Sequence, residues 1–126
     1  MLVASNAFSL SVIKERRLIQ NTERMAEHTE LQKQEMEKAA FILKSIAHPS
    51  RLAIIDILSK QPWQAVSEIS DKLDMEQSLT SHHLNIMKMK GVLESKRDGK
   101  SIKYKLKLTE VTQVLSCIEH CDLSRF

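Results

Sequence analysis

Aromatic side chains are scarce here, with Phe, Trp and Tyr together making up 4% of 126 residues. A core without them has to be built from Leu, Ile, Val, Ala and Met, which suits helix packed on helix better than a β-sandwich. The fold is therefore expected to be mostly α. Glycine and proline number only two each. No phosphate-binding glycine loop exists, no His-Glu-x-x-His occurs, and no nucleophile, base and orienting group recur at catalytic spacing, so no enzymatic chemistry and no cofactor are expected. The two cysteines, Cys117 and Cys121, lie four apart in what reads as a helix. That is poor geometry for a mutual disulfide and no framework for a secreted domain. No run approaches the eighteen or so apolar residues of a membrane span. In MLVASNAFSLSVIKERR the charges follow the apolar residues instead of preceding them. Neither signal peptide nor membrane association is expected, and a reducing cytoplasm fits.

What is present is unevenly distributed. The net charge of +3 hides a block at residues 88–107 with eight basic and two acidic side chains, while 48–87 and 108–126 are each net acidic. A basic block of that density is what a phosphate-contacting surface needs, and by itself it also describes a solvated lysine-rich hairpin. Pro49, Pro62, Gly91 and Gly99 all fall where a helix should start or stop or a hairpin should turn. The length suits one domain with one modest core.

The stretch from Ser67 to Gly91, SEISDKLDMEQSLTSHHLNIMKMKG, reads as a short helix, a polar turn at Asp74 to Gln77, and a second helix. Thr80, His83, Leu84 and Met87 recur at i, i+3, i+4 and i+7, an inward stripe, and Gly91 is a C-cap candidate. The opposite stripe holds Ser78, Ser81, His82 and Asn85, short hydrogen-bonding groups suited to base edges in a major groove. His82 and His83 point about 100° apart on a helix, so they have different jobs. His83 is expected to be structural. His82 is expected to contact DNA, against plain solvent exposure. After Gly91 the period changes to two. Val92 to Arg97, a tight Asp98-Gly99 turn, and Lys100 to Leu108 form a β-hairpin whose Ile102, Tyr104, Leu106 and Leu108 cover the helices.

Upstream, residues 1–10 show no clear period and are expected to be frayed or loosely packed on a partner. The pairs Val12/Ile13, Leu18/Ile19 and Met25/Ala26 recur every six to seven residues. That narrow stripe fits a helix laid along a neighbouring subunit, or a surface helix held by its own charge pairs. One long helix or two abutting ones are both open up to residue 48. The core begins at Ala39 to Ala47. His48-Pro49-Ser50 restarts the chain, with Leu52, Ile55 and Leu58 as the next inner stripe and Ile54 and Ile57 beside it. Ser67 is the expected cap of the first motif helix, with Ile69 and Leu73 inward, and Thr109 is expected to open a last helix with Val111, Val114, Leu115 and Ile118 apolar.

QSLTSHHLNIMKMKGVLESKRDGKSIKYKL resembles the second helix and wing of the ArsR/SmtB-type winged helix-turn-helix regulators, and AFILKSIAHPSRLAIIDIL resembles the helix pair that precedes them. The likeness covers about residues 40–115. It implies a winged helix-turn-helix, mostly α with a small β-hairpin, with helices at both termini forming a dimer interface. Residues 1–38 would be a helical extension for dimerisation and 39–126 the winged domain with its C-terminal dimerisation helix. The implied function is a dimeric transcription factor, expected to be a repressor, on a double-stranded DNA operator, released by an unspecified small molecule or ion. The candidate DNA-contacting residues are Gln77, Ser78, Ser81, His82, Asn85 and Lys88 on the second motif helix, with Lys96, Arg97 and Lys100 at the wing tip. Arg51 matches the family's arginine, either contacting a phosphate or bracing the domain by a salt bridge. The family's thiolate metal site falls here on Ala65 and Ser67 and is absent. Its second site falls on Leu108, Glu110, Cys121 and Ser124, where only Glu110 and Cys121 could ligate. With Cys117 and His120 nearby, an unorthodox metal site or a redox-responsive thiol is one alternative, and a winged-helix protein-interaction module is the other. Otherwise Cys117 is a small core residue and Cys121 an incidental surface thiol.

Overall fold

The computed structural model describes the backbone of residues 2–126 and the side chains from residue 10 onward. The expected loose packing of residues 1–9 lies outside the described side chains. The chain divides into two compact units, residues 1–40 and 41–126. Helix α1 runs without a break from Leu2 to Ile46, so of the two alternatives one long helix is found. Within the first unit, Leu18, Met25, Leu31 and Met36 are between 58% and 71% exposed.

The second unit is a winged helix-turn-helix. After α1 come α2 (Pro49–Lys60), β1 (Gln64–Ala65), α3 (Val66–Leu73), α4 (Gln77–Met89), β2 (Leu93–Asp98), β3 (Ser101–Leu106) and α5 (Val111–Glu119), then a short 3-10 turn at Leu123–Arg125. Pro49 occupies the first turn of α2, where its missing N–H costs nothing, and His48 caps that turn by accepting from the Ser50 amide at 3.1 Å. The apolar faces of α2, α3 and α4 enclose Ile54, Ile55, Leu58, Ile69, Leu84 and Met87, all at most 2% exposed, and Val92, Leu93, Tyr104 and Leu106 close the core from the sheet. Leu52 and Ile57 are only half-buried, so the inner stripe of α2 is centred one residue away from the expected line.

Several boundaries differ from the sequence expectation. Ser67 does not cap α3. The capping position is Ala65, whose amide is taken by the Glu68 carboxylate three residues on at 3.0 Å, so the reach-back half of a capping box does the work. The motif turn is Asp74 to Glu76, and Gln77 already belongs to α4. Helix α5 starts at Val111 because Thr109 and Glu110 form a turn, with the Thr112 hydroxyl donating to the Thr109 carbonyl at 2.7 Å. A two-residue strand, β1, was not expected. It pairs antiparallel with β3 and makes the sheet three-stranded in the order β1-β3-β2. Asp98 pairs with Ser101, so the hairpin loop is Gly99-Lys100 and not Asp98-Gly99. Only the first loop residue has positive φ, +62° at Gly99, the pattern of a II′ turn with glycine first.

Gly91 ends α4 as expected. Its φ is +82°, its amide donates to Lys88 and the Val92 amide donates to Met87, which together complete a Schellman motif. A Cβ there would meet nothing within 4 Å, so the demand for glycine is conformational, not steric. Gly91→Ala should therefore cost about 1–2 kcal/mol in urea unfolding, the cost of a left-handed non-glycine residue, with Gly91→Asn recovering part of it. An alanine variant as stable as the wild type would show that the α4 terminus does not need this cap.

Candidate nucleic-acid interface

Helix α4 buries the predicted stripe, with Thr80, Leu84 and Met87 at 0% and His83 at 5% exposure. Thr80 sits there without penalty because its hydroxyl donates to the Glu76 carbonyl at 3.0 Å. Gln77, Ser78, His82, Asn85 and Lys88 are exposed, and Ser81 is half-buried on the flank. At 100° per residue the outer surface separates into two rows. Ser78, Ser81, Asn85 and Lys88 form one, at i, i+3, i+7 and i+10. Leu79, His82, Ile86 and Met89 form the other. The expected polar stripe thus takes His82 from the second row.

Two side chains fix how α4 is presented. On the α2 side, Arg51 donates through Nε to His83 Nδ1 at 3.2 Å and through a terminal nitrogen to the Ser45 carbonyl at 3.0 Å. Arg51 therefore braces three helices, and it does so by hydrogen bonds, not by the salt bridge considered from sequence. His83 Nδ1 accepts, so the ring carries its proton on Nε2. The His48 ring lies tilted on it, centroids 4.5 Å apart. Burial pushes the His83 pKa below its ordinary value, and the neighbouring His48, Arg51 and His82 push it further the same way. On the wing side, the Tyr104 hydroxyl donates to Asn85 Oδ1 at 3.3 Å, which ties the polar row to the sheet and orients the carboxamide. Tyr104 reads from sequence as core alone. Its hydroxyl partner is not in the hydrophobic pattern.

The wing differs from expectation in charge and in facing. Successive strand residues alternate, so Leu93, Ser95 and Arg97 with their partners Leu106, Tyr104 and Ile102 share the face that packs on the helices. Glu94, Lys96 and Asp98 with Lys105, Lys103 and Ser101 share the other. Lys96 and Arg97 therefore point to opposite faces of the hairpin. The Lys96 ammonium instead lies 4.1 Å from the centre of the Trp63 ring, with Lys105 at 4.9 Å. Lys103 is paired with Asp98 at 2.9 Å and Lys105 with Glu94 at 3.0 Å. Hydrogen bonding from Lys103 holds the Asp98 carboxyl below its usual range. Among the described residues, Lys88, Arg97 and Lys100 pair with no carboxylate. Ile102, expected to cover the helices, is 47% exposed because the apolar face runs out beyond Tyr104.

The candidates on α5 are not brought together. Glu110 precedes the helix, while Cys117 is seven residues on, about 10 Å along the axis. Cys117 is exposed, not a core residue, and Cys121 beyond the helix end turns its thiol to the Cys117 carbonyl at 3.2 Å. His120 Nδ1 lies 2.6 Å from the Ser116 carbonyl. Among the described residues no three His, Cys, Asp or Glu side chains are grouped to hold a metal ion, and no helix is long and apolar enough to cross a membrane.

Residues 48–95 match the model of the family "Bacterial regulatory protein, arsR family". The chain is 33% identical over 84 residues to the HTH-type transcriptional regulator YgaV of Escherichia coli (strain K12), covering 67% of this chain and 85% of that protein. A crystal structure described as a predicted DNA-binding transcriptional regulator from E. coli superposes with TM-score 0.65 at 33% identity, over 72% of this chain and 95% of the other. The transcriptional repressor PagR of Bacillus anthracis gives TM-score 0.61 at 34% identity, over 68% and 98%.

Two outcomes test the geometry around α4. A buried histidine whose pKa is lowered leaves the unfolded chain binding more protons than the folded one below the ordinary value near 6.5. Stability should therefore be complete above that pH and fall as pH drops through it. Melting temperature should decline between pH 7.5 and 5.5 in the wild type and decline less in His83→Gln, which keeps an acceptor for Arg51 but does not titrate. Equal declines would remove His83 from the pH dependence. Trp63 is the only tryptophan, so Lys96→Ala should alter intrinsic fluorescence and cost about 0.5–1 kcal/mol of stability, the scale of an exposed cation–π contact. An unchanged spectrum would mean that Lys96 does not rest on that ring.

Proposed function

The chain belongs to the arsR family of bacterial regulatory proteins, which are DNA-binding regulators, and from that premise we propose that it is a homodimeric repressor reading a pseudo-palindromic operator. One observation carries the reading. The exposed first turns of α4 present Gln77, Ser78, Ser81, His82 and Asn85 beside a wing whose Arg97 and Lys100 are unpaired. Hydrogen-bonding groups at the front of a helix supply base readout, and free cations beside them supply the sequence-independent phosphate term. Lys88, at the end of the polar row, adds a third positive charge for the backbone. Lys96, resting on Trp63, contributes to the wing's shape more than to its contacts.

Dimerisation follows from what the winged unit leaves uncovered. On α5 only Val111 is buried, while Val114 and Leu115 are half-buried and Ile118 is 40% exposed. Together with the exposed apolar residues of α1, this is surface that one core does not use. A single half-site would offer too few contacts, and a two-fold dimer places two α4 helices about one turn of DNA apart. Repression then needs no chemistry beyond occupying the site.

Sedimentation should give a dimer at micromolar concentration, and Val114→Glu with Leu115→Glu should lose both dimer and DNA binding. The two DNA surfaces should fail differently. Removing Arg97 and Lys100 should weaken operator and random DNA alike and flatten log affinity against log salt by roughly 0.9 per lost phosphate contact. His82→Ala or Asn85→Ala should cost about 1–3 kcal/mol on the operator only and leave the slope nearly unaltered. A chain that enriches no sequence from random DNA would sink the reading.

A further inference from the structure

Beyond polar readout, we propose that Leu79 reads the 5-methyl group of a thymine in each half-site, an inference that rests on α4 entering the major groove. Leu79 lies in the first turn of α4, and this large apolar side chain is left 46% exposed directly beside Ser78 and one turn from His82. It heads the second row of the outer surface, away from the wing, where Tyr104 engages Asn85 in the first row. The polar row can satisfy donors and acceptors on base edges. Leu79 cannot, and pressed on a guanine or cytosine edge it would strip water from a polar group and return nothing. The thymine methyl is the one apolar group that a base pair presents in the major groove. It is therefore the partner whose chemistry matches an exposed leucine at this end of the helix. Met89 ends the same row and is 83% exposed, but it lies about 15 Å farther along the axis, past the turns that reach base edges. Leu79 thus discriminates while Met89 does not.

The test starts from an operator selected out of random DNA with the full chain, in which each thymine is replaced in turn by uracil. That change removes the methyl group and leaves base pairing intact. At one position per half-site the wild type should lose about fourfold in affinity per methyl, the worth of one buried methyl-sized group. Leu79→Ala, an exposed substitution to a strong helix former, should bind thymine and uracil operators equally, and Met89→Ala should discriminate as the wild type does. Indifference of the wild type to uracil at every position overturns the proposal, as does thymine preference surviving in Leu79→Ala. An operator that is found but is insensitive to uracil sinks this inference alone, whereas a selection that enriches nothing sinks the DNA reading beneath it.

Discussion

The placement of the second motif helix depends on one arginine bonded to one neutral histidine. Arg51 stands in the first turn of α2 and spends one donor on His83 in α4 and another on the carbonyl of Ser45, one of the last carbonyls of α1, which no intrahelical amide can reach. A positive charge there also complements the negative end of the α1 dipole. Lysine could not make the same pair of bonds, because the planar fork of the guanidinium fixes two donors in divergent directions. The arrangement requires His83 to accept at Nδ1, so a protonated ring would turn a donor against a donor. Burial first, and then the neighbouring His48 and Arg51, lower the His83 pKa and so favour the neutral ring that this bond requires.

The wing is built on a second cation, used differently. Trp63 adopts φ +59°, an uncommon conformation for a bulky residue, in the loop that delivers β1 to the sheet edge. Its ring is covered by Lys96 and Lys105. The buried Gln64 beside it donates to Gln61 and Ile57 carbonyls and accepts from Lys72 at 2.7 Å. The hairpin's outer face is thereby tied to the domain at Trp63, while Asp98 and Glu94 offset the charges of Lys103 and Lys105. The block of eight cations read from sequence is therefore not a uniform phosphate surface. Lys103 and Lys105 are paired with carboxylates, Lys96 and Lys90 lie over the rings of Trp63 and Phe41, and among the described residues Lys88, Arg97, Lys100 and Lys107 pair with no carboxylate.

The helices were legible because helical periodicity is a long signal. Thr80, His83, Leu84 and Met87 repeat over two turns, and the structure buries all four. Gly91 was legible for the same reason, since a left-handed cap has a single preferred residue. The wing was legible as a hairpin but not in its details. Strand β1 is two residues long, too short for any period, and its Gln64 is buried because of three hydrogen bonds that no hydrophobic pattern can report. The opposite facing of Lys96 and Arg97 follows from the alternation of adjacent strand residues, once the strand that holds them is recognised. The Arg51–His83 bond joins residues 32 apart. Sequence separated their possible roles but could not bring them together. Of the candidate interface, both outer rows follow from residue spacing at 100° per residue, whereas the contact that ties the polar row to the wing, Tyr104 on Asn85, has no signature in that spacing.

That contact matters because α4 can rotate about its own axis. One residue step is 100°, so a rotation of that size would exchange the polar row for the Leu79 row at the groove centre, and half of it would already centre the boundary between them. The inward stripe alone resists such a rotation weakly, since Leu84 and Met87 are flexible and apolar packing tolerates small shifts better than hydrogen bonds do. Directional contacts on both flanks remove the freedom. Arg51 holds His83 from the α2 side, and Tyr104 holds Asn85 from the sheet. The two held residues lie two positions apart, about 200° around the helix, so neither bond can follow the helix if it turns. A helix pinned at nearly opposite flanks presents one fixed set of side chains. A fold that leaves only short polar groups and one leucine at the front of α4 needs that fixity if it is to distinguish one sequence from another.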